Sequence, residues 1–423
     1  MEDVVIIGGG PAGSILGSYL SKAGVSNTIL EKAVFPRAHV GESLVSSTVR
    51  IFDEIDFIET MEREGFPRKY GAAWHPTKGE GEFAIRFAEF PQEGVNQDYT
   101  YHVERSRFDD LLLDHAKNLG SQVHEGVAVR KVMFDDSGFA NGVRVSIDGE
   151  LSEIQAKMVI DCSGRNTMLG SQLGLRDKDP IFNQFAVHAW FEDVNRGDDP
   201  ETVDFIHIYF LSVERGWAWQ IPISKTVTSI GVVAESDVFK QSRQRTEEWF
   251  DDLVATNPGL SKALADANRL NDFKAEADYS YGMSEFVGDG WMLVGDSARF
   301  VDPIFSSGIS IAAEAAKAAS QTIIEALDKD DWSRTALKPY EDRMKAGVAI
   351  WYEFILLYYK LMHLFTYFID AEEHRHQILQ LLQGEVYDRE NAPVLDAMRD
   401  VIRKVEETPG HIWASSLTDI PID

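Results

Sequence analysis

A run of four β-branched residues, Val4-Val5-Ile6-Ile7, leads straight into Gly8-Gly9-Gly10-Pro11-Ala12-Gly13. No other stretch restricts the fold so strongly. The run reads as a central parallel strand buried on both faces. A helical pattern follows as far as Ala23-Gly24, and Thr28-Ile29-Leu30-Glu31 reads as a second strand. Together these make a β-α-β unit of about thirty residues. Each glycine of Gly8-x-Gly10-x-x-Gly13 has a physical task. Gly8 allows the tight turn, Gly10 lets backbone N–H groups approach a pyrophosphate, and Gly13 lets helix and strand pack closely. The helix N-terminus adds the positive end of its dipole. Glu31, at the end of the second strand, is placed to accept hydrogen bonds from ribose hydroxyls.

The rest of the chain sets the frame around this unit. At roughly 150 residues per domain, 423 residues suggest two or three domains, or one large domain with additions. Phe83 to Phe90, Ala186 to Phe191, Phe205 to Phe210, Trp217 to Ile223 and Ser229 to Val233 read as short strands. From Ser310 onward the pattern turns helical: Ile311 to Leu327, Tyr340 to Ile369, then shorter pieces to about Val405. The expected fold is α/β. A Rossmann-type dinucleotide-binding domain (1–330) is interleaved with a β-rich substrate domain (about 70–105 and 180–285), and a helical region occupies 331–423. A net charge of −28 argues against nucleic acid, because phosphate binding needs a surplus of Lys and Arg. Cys162 is the only cysteine, which excludes an intrachain disulfide framework and a cysteine-rich zinc cluster. No apolar run reaches the roughly 18 residues of a membrane span. The nearest, Ala349 to Ile369, is broken by Glu353, Lys360 and His363. With no basic leader, a soluble protein in a reducing cytoplasm is the expectation.

The Gly-rich fingerprint serves NAD and FAD alike, so later residues decide between them. Arg105 opens a helix on which a cation can meet the cofactor. Asp161-Cys162-Ser163-Gly164 closes one strand-like run, and Gly295-Asp296-Ser297-Ala298-Arg299 closes another, with Asp296 placed to hold a ribityl hydroxyl. As a set, over roughly residues 1 to 330, these motifs resemble the FAD-dependent monooxygenases of the para-hydroxybenzoate hydroxylase group. That group includes the geranylgeranyl reductases and the flavin-dependent halogenases. The resemblance implies FAD as cofactor, with Ala12, Lys32, Arg37, Ser43, Asp161, Gly164, Pro303 and Gly308 among its contacts. There is no second Gly-x-Gly-x-x-Gly, so reduced flavin is expected from a partner reductase.

Two further features resemble the halogenases in particular. Trp217-Ala218-Trp219-Gln220-Ile221-Pro222 matches their WxWxIP motif residue for residue. Period-two alternation puts Trp217, Trp219 and Ile221 on one face of a strand, which by itself also describes an aromatic core strand. In the family the two indoles keep organic substrate from the flavin edge. Lys69, after Gly41-Glu42-Ser43 and before the first substrate-domain strand, stands where the halogenases carry their essential lysine. An ammonium there can donate a hydrogen bond to hypohalous acid, and a neutral amine can form a haloamine.

Phe300-Val301-Asp302-Pro303-Ile304-Phe305-Ser306-Ser307-Gly308 opens the helix from Ser310. Exposed amides at a helix start bind anions, and the family holds chloride or bromide here, so Ser307 and Gly308 are the expected halide ligands. A flavin-packing turn, common to the larger group, accounts for the same residues. Tryptophan halogenases carry a glutamate in this segment, and the matching position here is Phe305. The resemblance therefore points to the phenol and pyrrole types. It implies that reduced FAD, oxygen and halide give hypohalous acid, which reaches Lys69, and that a base then removes the ring proton. The sequence does not name that base; His75 and Glu80 are close to Lys69 along the chain.

Trp351, Tyr352, Phe354, Tyr358, Tyr359, Phe365, Tyr367 and Phe368 load one helical stretch, as expected of a helix packed on the substrate domain. In length, and in its Phe-Ser-Ser-Gly segment, the chain resembles halogenases acting on pyrrolyl groups held by an acyl or peptidyl carrier protein. A free phenol or pyrrole stays open. An acidic carrier would need a local basic patch, for which Lys338, Arg343 and Lys345 are candidates. The competing readings are a hydroxylase or geranylgeranyl-type reductase on the same scaffold, and a non-catalytic flavin-binding regulator.

Overall fold

The computed structural model describes residues 2–77, 83–197, 199–277, 280–388 and 392–422. Strand Glu2–Ile7 lies inside a sheet, parallel to Asn27–Glu31 on one side and to the end of Glu150–Asp161 on the other. The sheet continues outward through Gln122–Glu125 at one edge and through Trp291–Leu293 and Val287–Gly288 at the other. Val4, Val5 and Ile6 are fully buried, as a strand covered on both faces requires. Helix Pro11–Lys22 packs between helices Arg105–Leu119 and Ser307–Lys329.

A second sheet collects strands far apart in sequence. Phe83–Arg86, Gly71–His75, Ile206–Phe210, Trp217–Pro222, Val227–Glu235 and Gln184–Glu192 follow one another across it. Alternation along each strand gives it two different faces. Ile206, Ile208, Trp217, Trp219, Ile221 and Val233 join the main core, whereas Tyr209, Ala218, Ile230 and Val232 join a separate core with helices Thr246–Ala255 and Pro258–Ala263.

Two elements depart from the expected pattern. The run Phe83 to Phe90 is a strand only to Arg86, because Glu89 folds back to accept the Arg86 N–H and closes a 3₁₀ turn at Phe87–Glu89. The helix expected over Tyr340 to Ile369 is broken. Arg334–Lys360 ends at Lys360, and Met362–Asp370 leaves at 81°. The Thr418 hydroxyl donates to the Tyr359 carbonyl and the Thr418 N–H to that of Lys360, so the C-terminal tail takes carbonyls that a longer helix would have used. No single described helix is long and apolar enough to cross a membrane. This bent pair reaches that length and composition only jointly, with Trp351, Phe354, Tyr358 and Phe365 buried in the protein.

Candidate active site

A cavity of about 870 Å3 opens between the two sheets. Gly8, Gly10 and Ala12 line it from the first turn, with Glu31, Lys32 and Arg37 beside them. Ser43, Arg105, Gly164 and Asp296 line its middle. Pro303 and Gly308 close it from the helix start, and Trp217, Trp219 and Ile221 face it from the second sheet. Residues scattered over three hundred positions of sequence thus meet around one space. Gly13, Asp161, Pro222, Ser307 and Lys69 are not in its lining.

The reasons are local. Gly13 sits behind the turn, where a Cβ would lie 2.0 Å from the Gly8 carbonyl oxygen. Asp161 is fully buried, and its carboxylate accepts the N–H groups of Ser163 (2.8 Å) and Leu169 (2.7 Å), so it shapes the loop that carries Gly164. Pro222 lies on the far face of the strand whose odd positions face the cavity. Glu31 accepts the N–H of Gly9 at 2.8 Å through Oε2 and that of Ala33 at 2.9 Å through Oε1. Arg105 is buried and forked onto Asp109 at 2.9 and 3.0 Å, while its Nη1 donates to the Val40 carbonyl at 2.6 Å. Arg37 Nη1 pairs with the same Asp109 oxygen, Oδ2, at 3.3 Å. Burial raises the Asp296 carboxyl to about 6.

The donor set suits a flavin dinucleotide. A Cβ at Gly10 would meet only the tip of Arg37 at 3.3 Å, so that backbone is open to a ligand. Ser43 Oγ is a buried polar atom without a hydrogen-bond partner, as expected of a group that binds something in the cavity. At the opposite end Ser306 adopts the left-handed conformation (φ 59°), from which helix Ser307–Lys329 starts. Ser307 is buried with its Oγ unpartnered, next to the lining residue Gly308.

Lys69 is buried, in a two-residue strand paired with Thr100–Tyr101. Its Nζ donates to the Leu44 carbonyl at 2.8 Å and lies 5.6 Å from the centroid of Phe87. Leu44 directly follows Ser43, so the ammonium stands one residue behind the cavity wall. Desolvation lowers its pKa from 10.5 to about 7, which makes ammonium and free amine both accessible near neutral pH. His75 is turned away. It stacks on Tyr209 at 4.3 Å and meets His207 at 2.8 Å on the other face of the sheet, and burial holds it down at about 3. Glu80 lies outside the described residues.

Phe305 stacks on Phe354 at 4.5 Å and meets Tyr358 and Phe365 edge-on or tilted. The segment that holds a glutamate in tryptophan halogenases is therefore an aromatic cluster here. Phe305→Glu is expected to destabilise the protein by about 3 kcal/mol or more, read as a lower urea midpoint, because it places a carboxylate in a buried position among aromatic rings. Lys338, Arg343 and Lys345 form no free basic patch. Lys338 pairs with Glu341 and Asp342, Arg343 with Asp388, and Lys345 with Glu341.

Sequence reasoning passed over Glu42 and Tyr359. Glu42 is buried and lines the cavity, and its Oε1 accepts the Trp190 indole N–H at 2.7 Å. The Tyr359 hydroxyl accepts the Trp217 indole N–H at 2.7 Å and donates to Asp302 at 3.1 Å. Their partners lie 57 to 148 residues away, where no local pattern reaches.

Comparison with known proteins agrees with this architecture. The FAD binding domain family matches residues 1–349. The chain is 47% identical to a 1H-pyrrole-2-carbonyl-[peptidyl-carrier protein] chlorinase of Pseudomonas fluorescens, over 99% of this chain and 97% of that one. It is 31% identical to the corresponding brominase of Pseudoalteromonas luteoviolacea, over 96% and 97%. Among solved structures, the flavin-dependent brominase Bmp2 superposes with a TM-score of 0.86 at 31% identity, covering 96% of this chain and 99% of that one. A cavity built for a flavin dinucleotide, two indoles across it and a buried lysine behind its wall sit on that shared scaffold: the chain belongs to the flavin-dependent halogenases.

Proposed function

We propose that this protein halogenates a pyrrolyl group carried on a peptidyl carrier protein, using FADH2, oxygen and chloride or bromide. The observation that carries the reaction type is Lys69, a buried amine with one backbone acceptor and a pKa near 7. The choice of substrate follows the near-full-length likeness to the chlorinase.

FAD bound in the cavity supplies, when reduced, the electrons with which oxygen oxidises halide to hypohalous acid. Gly8, Gly10 and the start of helix Pro11–Lys22 present N–H groups to its pyrophosphate, and Arg37, Ser43, Arg105 and Asp296 hold the remainder. The amides of Ser307 and Gly308 bind the halide without a full positive charge beside it. Trp217 and Trp219 keep the organic ring off the flavin side. Lys69 Nζ then fixes the electrophilic halogen next to the ring, as a hydrogen-bond donor or as a haloamine. With no second dinucleotide fingerprint in the sequence, FADH2 comes from a separate flavin reductase, in a cytoplasmic setting. The same reading assigns 1–330 to the FAD domain with its interleaved substrate sheet and 331–423 to the helical region.

The test supplies chemically reduced FAD, oxygen and either halide to the purified protein. Pyrrole-2-carbonyl loaded on a carrier protein, free pyrrole-2-carboxylate and a free phenol are offered in parallel and read by mass spectrometry. A halogen mass shift confined to the carrier-bound ring is expected. A shift only on the free acid or the phenol overturns the carrier assignment, and an oxygen mass shift in its place overturns the reaction.

A further inference from the structure

Both barrier indoles donate their N–H groups to buried hydroxyls. Trp217 Nε1 donates to the Tyr359 hydroxyl at 2.7 Å, and that hydroxyl donates to Asp302 Oδ1 at 3.1 Å. Trp219 Nε1 donates to Ser229 Oγ at 3.1 Å, and the Glu42 carboxyl stands close enough to that hydroxyl for the hydroxyl to favour its charged form. All four supporting residues are buried. A hydroxyl has one proton, so once it accepts an indole N–H its own proton is left for the acid. The direction of the Tyr359 chain is thereby fixed. Burial keeps the Tyr359 phenol protonated and pushes both acids upward, Asp302 to about 7. Each acid retains one buried oxygen without a partner, Asp302 Oδ2 and Glu42 Oε2.

The two chains start from different parts of the molecule. Ser229 belongs to the neighbouring strand of the same sheet, whereas Tyr359 sits in the last turn of helix Arg334–Lys360, whose end is fixed by Thr418. Asp302 immediately precedes Pro303, which lines the cavity at the proposed halide turn. The Tyr359 chain therefore ties the C-terminal helical region, the barrier and the halide turn together through three side chains.

We propose that Tyr359 and Ser229 are positioning residues whose buried hydroxyls accept the Trp217 and Trp219 indole N–H groups and so lock both indoles in barrier orientation, and that the C-terminal region thereby helps decide whether oxidising equivalents reach halide or are lost as hydrogen peroxide. The second half of this inference rests on the halogenase reading; the tether itself does not. The loss reaction is reduced flavin plus oxygen giving FAD and hydrogen peroxide, with both electrons and both protons passing from flavin to oxygen. An indole without its acceptor has a buried N–H to satisfy and rotates to find water, opening the wall it formed.

The test uses Tyr359→Phe and Ser229→Ala, which each remove a hydroxyl, and Tyr352→Phe as a control on the same helix whose hydroxyl meets Asp179. In 15N-indole-labelled flavin-free protein, Tyr359→Phe is expected to move the Trp217 N–H resonance and speed its exchange with D2O by about tenfold or more. The Trp219 resonance stays in place; Ser229→Ala does the reverse, and Tyr352→Phe changes neither. With FADH2, oxygen and halide, peroxide per halogenated product is expected to rise about threefold or more in the two tether variants at unchanged FAD affinity. Unmoved indole resonances overturn the tether. Moved resonances with an unaltered peroxide ratio, kcat alone falling, overturn the positioning role and leave a structural one. If wild type makes no halogenated product, the halogenase reading fails while the resonances still decide the tether.

Discussion

Lys69→Met lowers halogenation by about a thousandfold or more, while FAD affinity stays at the wild-type level. The two halves of this result follow from the same geometry. Lys69 is absent from the cavity lining, so its replacement removes no flavin contact. Its Nζ is nonetheless the buried amine one residue behind the wall, bonded to the Leu44 carbonyl, and methionine of similar length fills the space without a nitrogen. Mass spectrometry of the product and flavin fluorescence titration read the two halves separately. Parallel loss of both makes Lys69 part of the scaffold.

The same substitution stabilises the folded chain. A drop in pKa from 10.5 to about 7 means that burying the charged form costs on the order of 5 kcal/mol. Between those two values the unfolded chain binds more protons at this site than the folded one, so the wild-type penalty is full below about pH 7 and shrinks as pH rises toward 10.5. Urea midpoints of the flavin-free proteins are therefore expected to favour Lys69→Met most at pH 6, with the gap roughly halved by pH 9. A gap independent of pH means that the folded chain binds the Lys69 proton as tightly as the unfolded one, so that burial does not depress this amine.

Residues whose task is local were legible in the sequence. The spacing of Gly8, Gly10 and Gly13 is dictated by one turn, and the odd positions Trp217, Trp219 and Ile221 share a face because a strand alternates. Asp161 shows where such reading stops. A carboxylate at a strand end can reach a ligand or cap its own loop, and here Ser163 and Leu169 take it. Propensity likewise carried one helix through Leu361, because nothing near that position announces that Thr418 will claim the carbonyls of Tyr359 and Lys360. Glu42 and Tyr359 were missed for the same reason. Their significance lies in partners that only the fold brings near, Trp190 for one and Trp217 for the other. Phe305 could be read as the loss of a glutamate, but not as a member of a packed cluster with Phe354, Tyr358 and Phe365.

Gly13→Ala is expected to weaken FAD binding by about a hundredfold and to lower stability by about 3 kcal/mol, whereas Gly10→Ala weakens binding with little loss of stability. The contrast rests on what a methyl group meets. At Gly13 it would stand 2.0 Å from the Gly8 carbonyl oxygen and 3.2 Å from Ile6 Cγ2, and the oxygen is backbone that cannot rotate aside. Gly8 cannot retreat either, since it already has φ 104° and its own Cβ position is 2.5 Å from the Cys162 carbonyl oxygen. Helix Pro11–Lys22 must then lift from the strand, carrying its N–H groups off the pyrophosphate position and loosening its contacts with helices Arg105–Leu119 and Ser307–Lys329. At Gly10 the methyl would meet only the Arg37 guanidinium tip at 3.3 Å, a flexible group, but it would project into the space the ligand occupies. Thermal midpoints of the flavin-free proteins and FAD titrations separate the two effects. Equal stability losses at Gly10 and Gly13 refute the packing argument, and unchanged FAD affinity at Gly10 means that the pyrophosphate is not held at this turn.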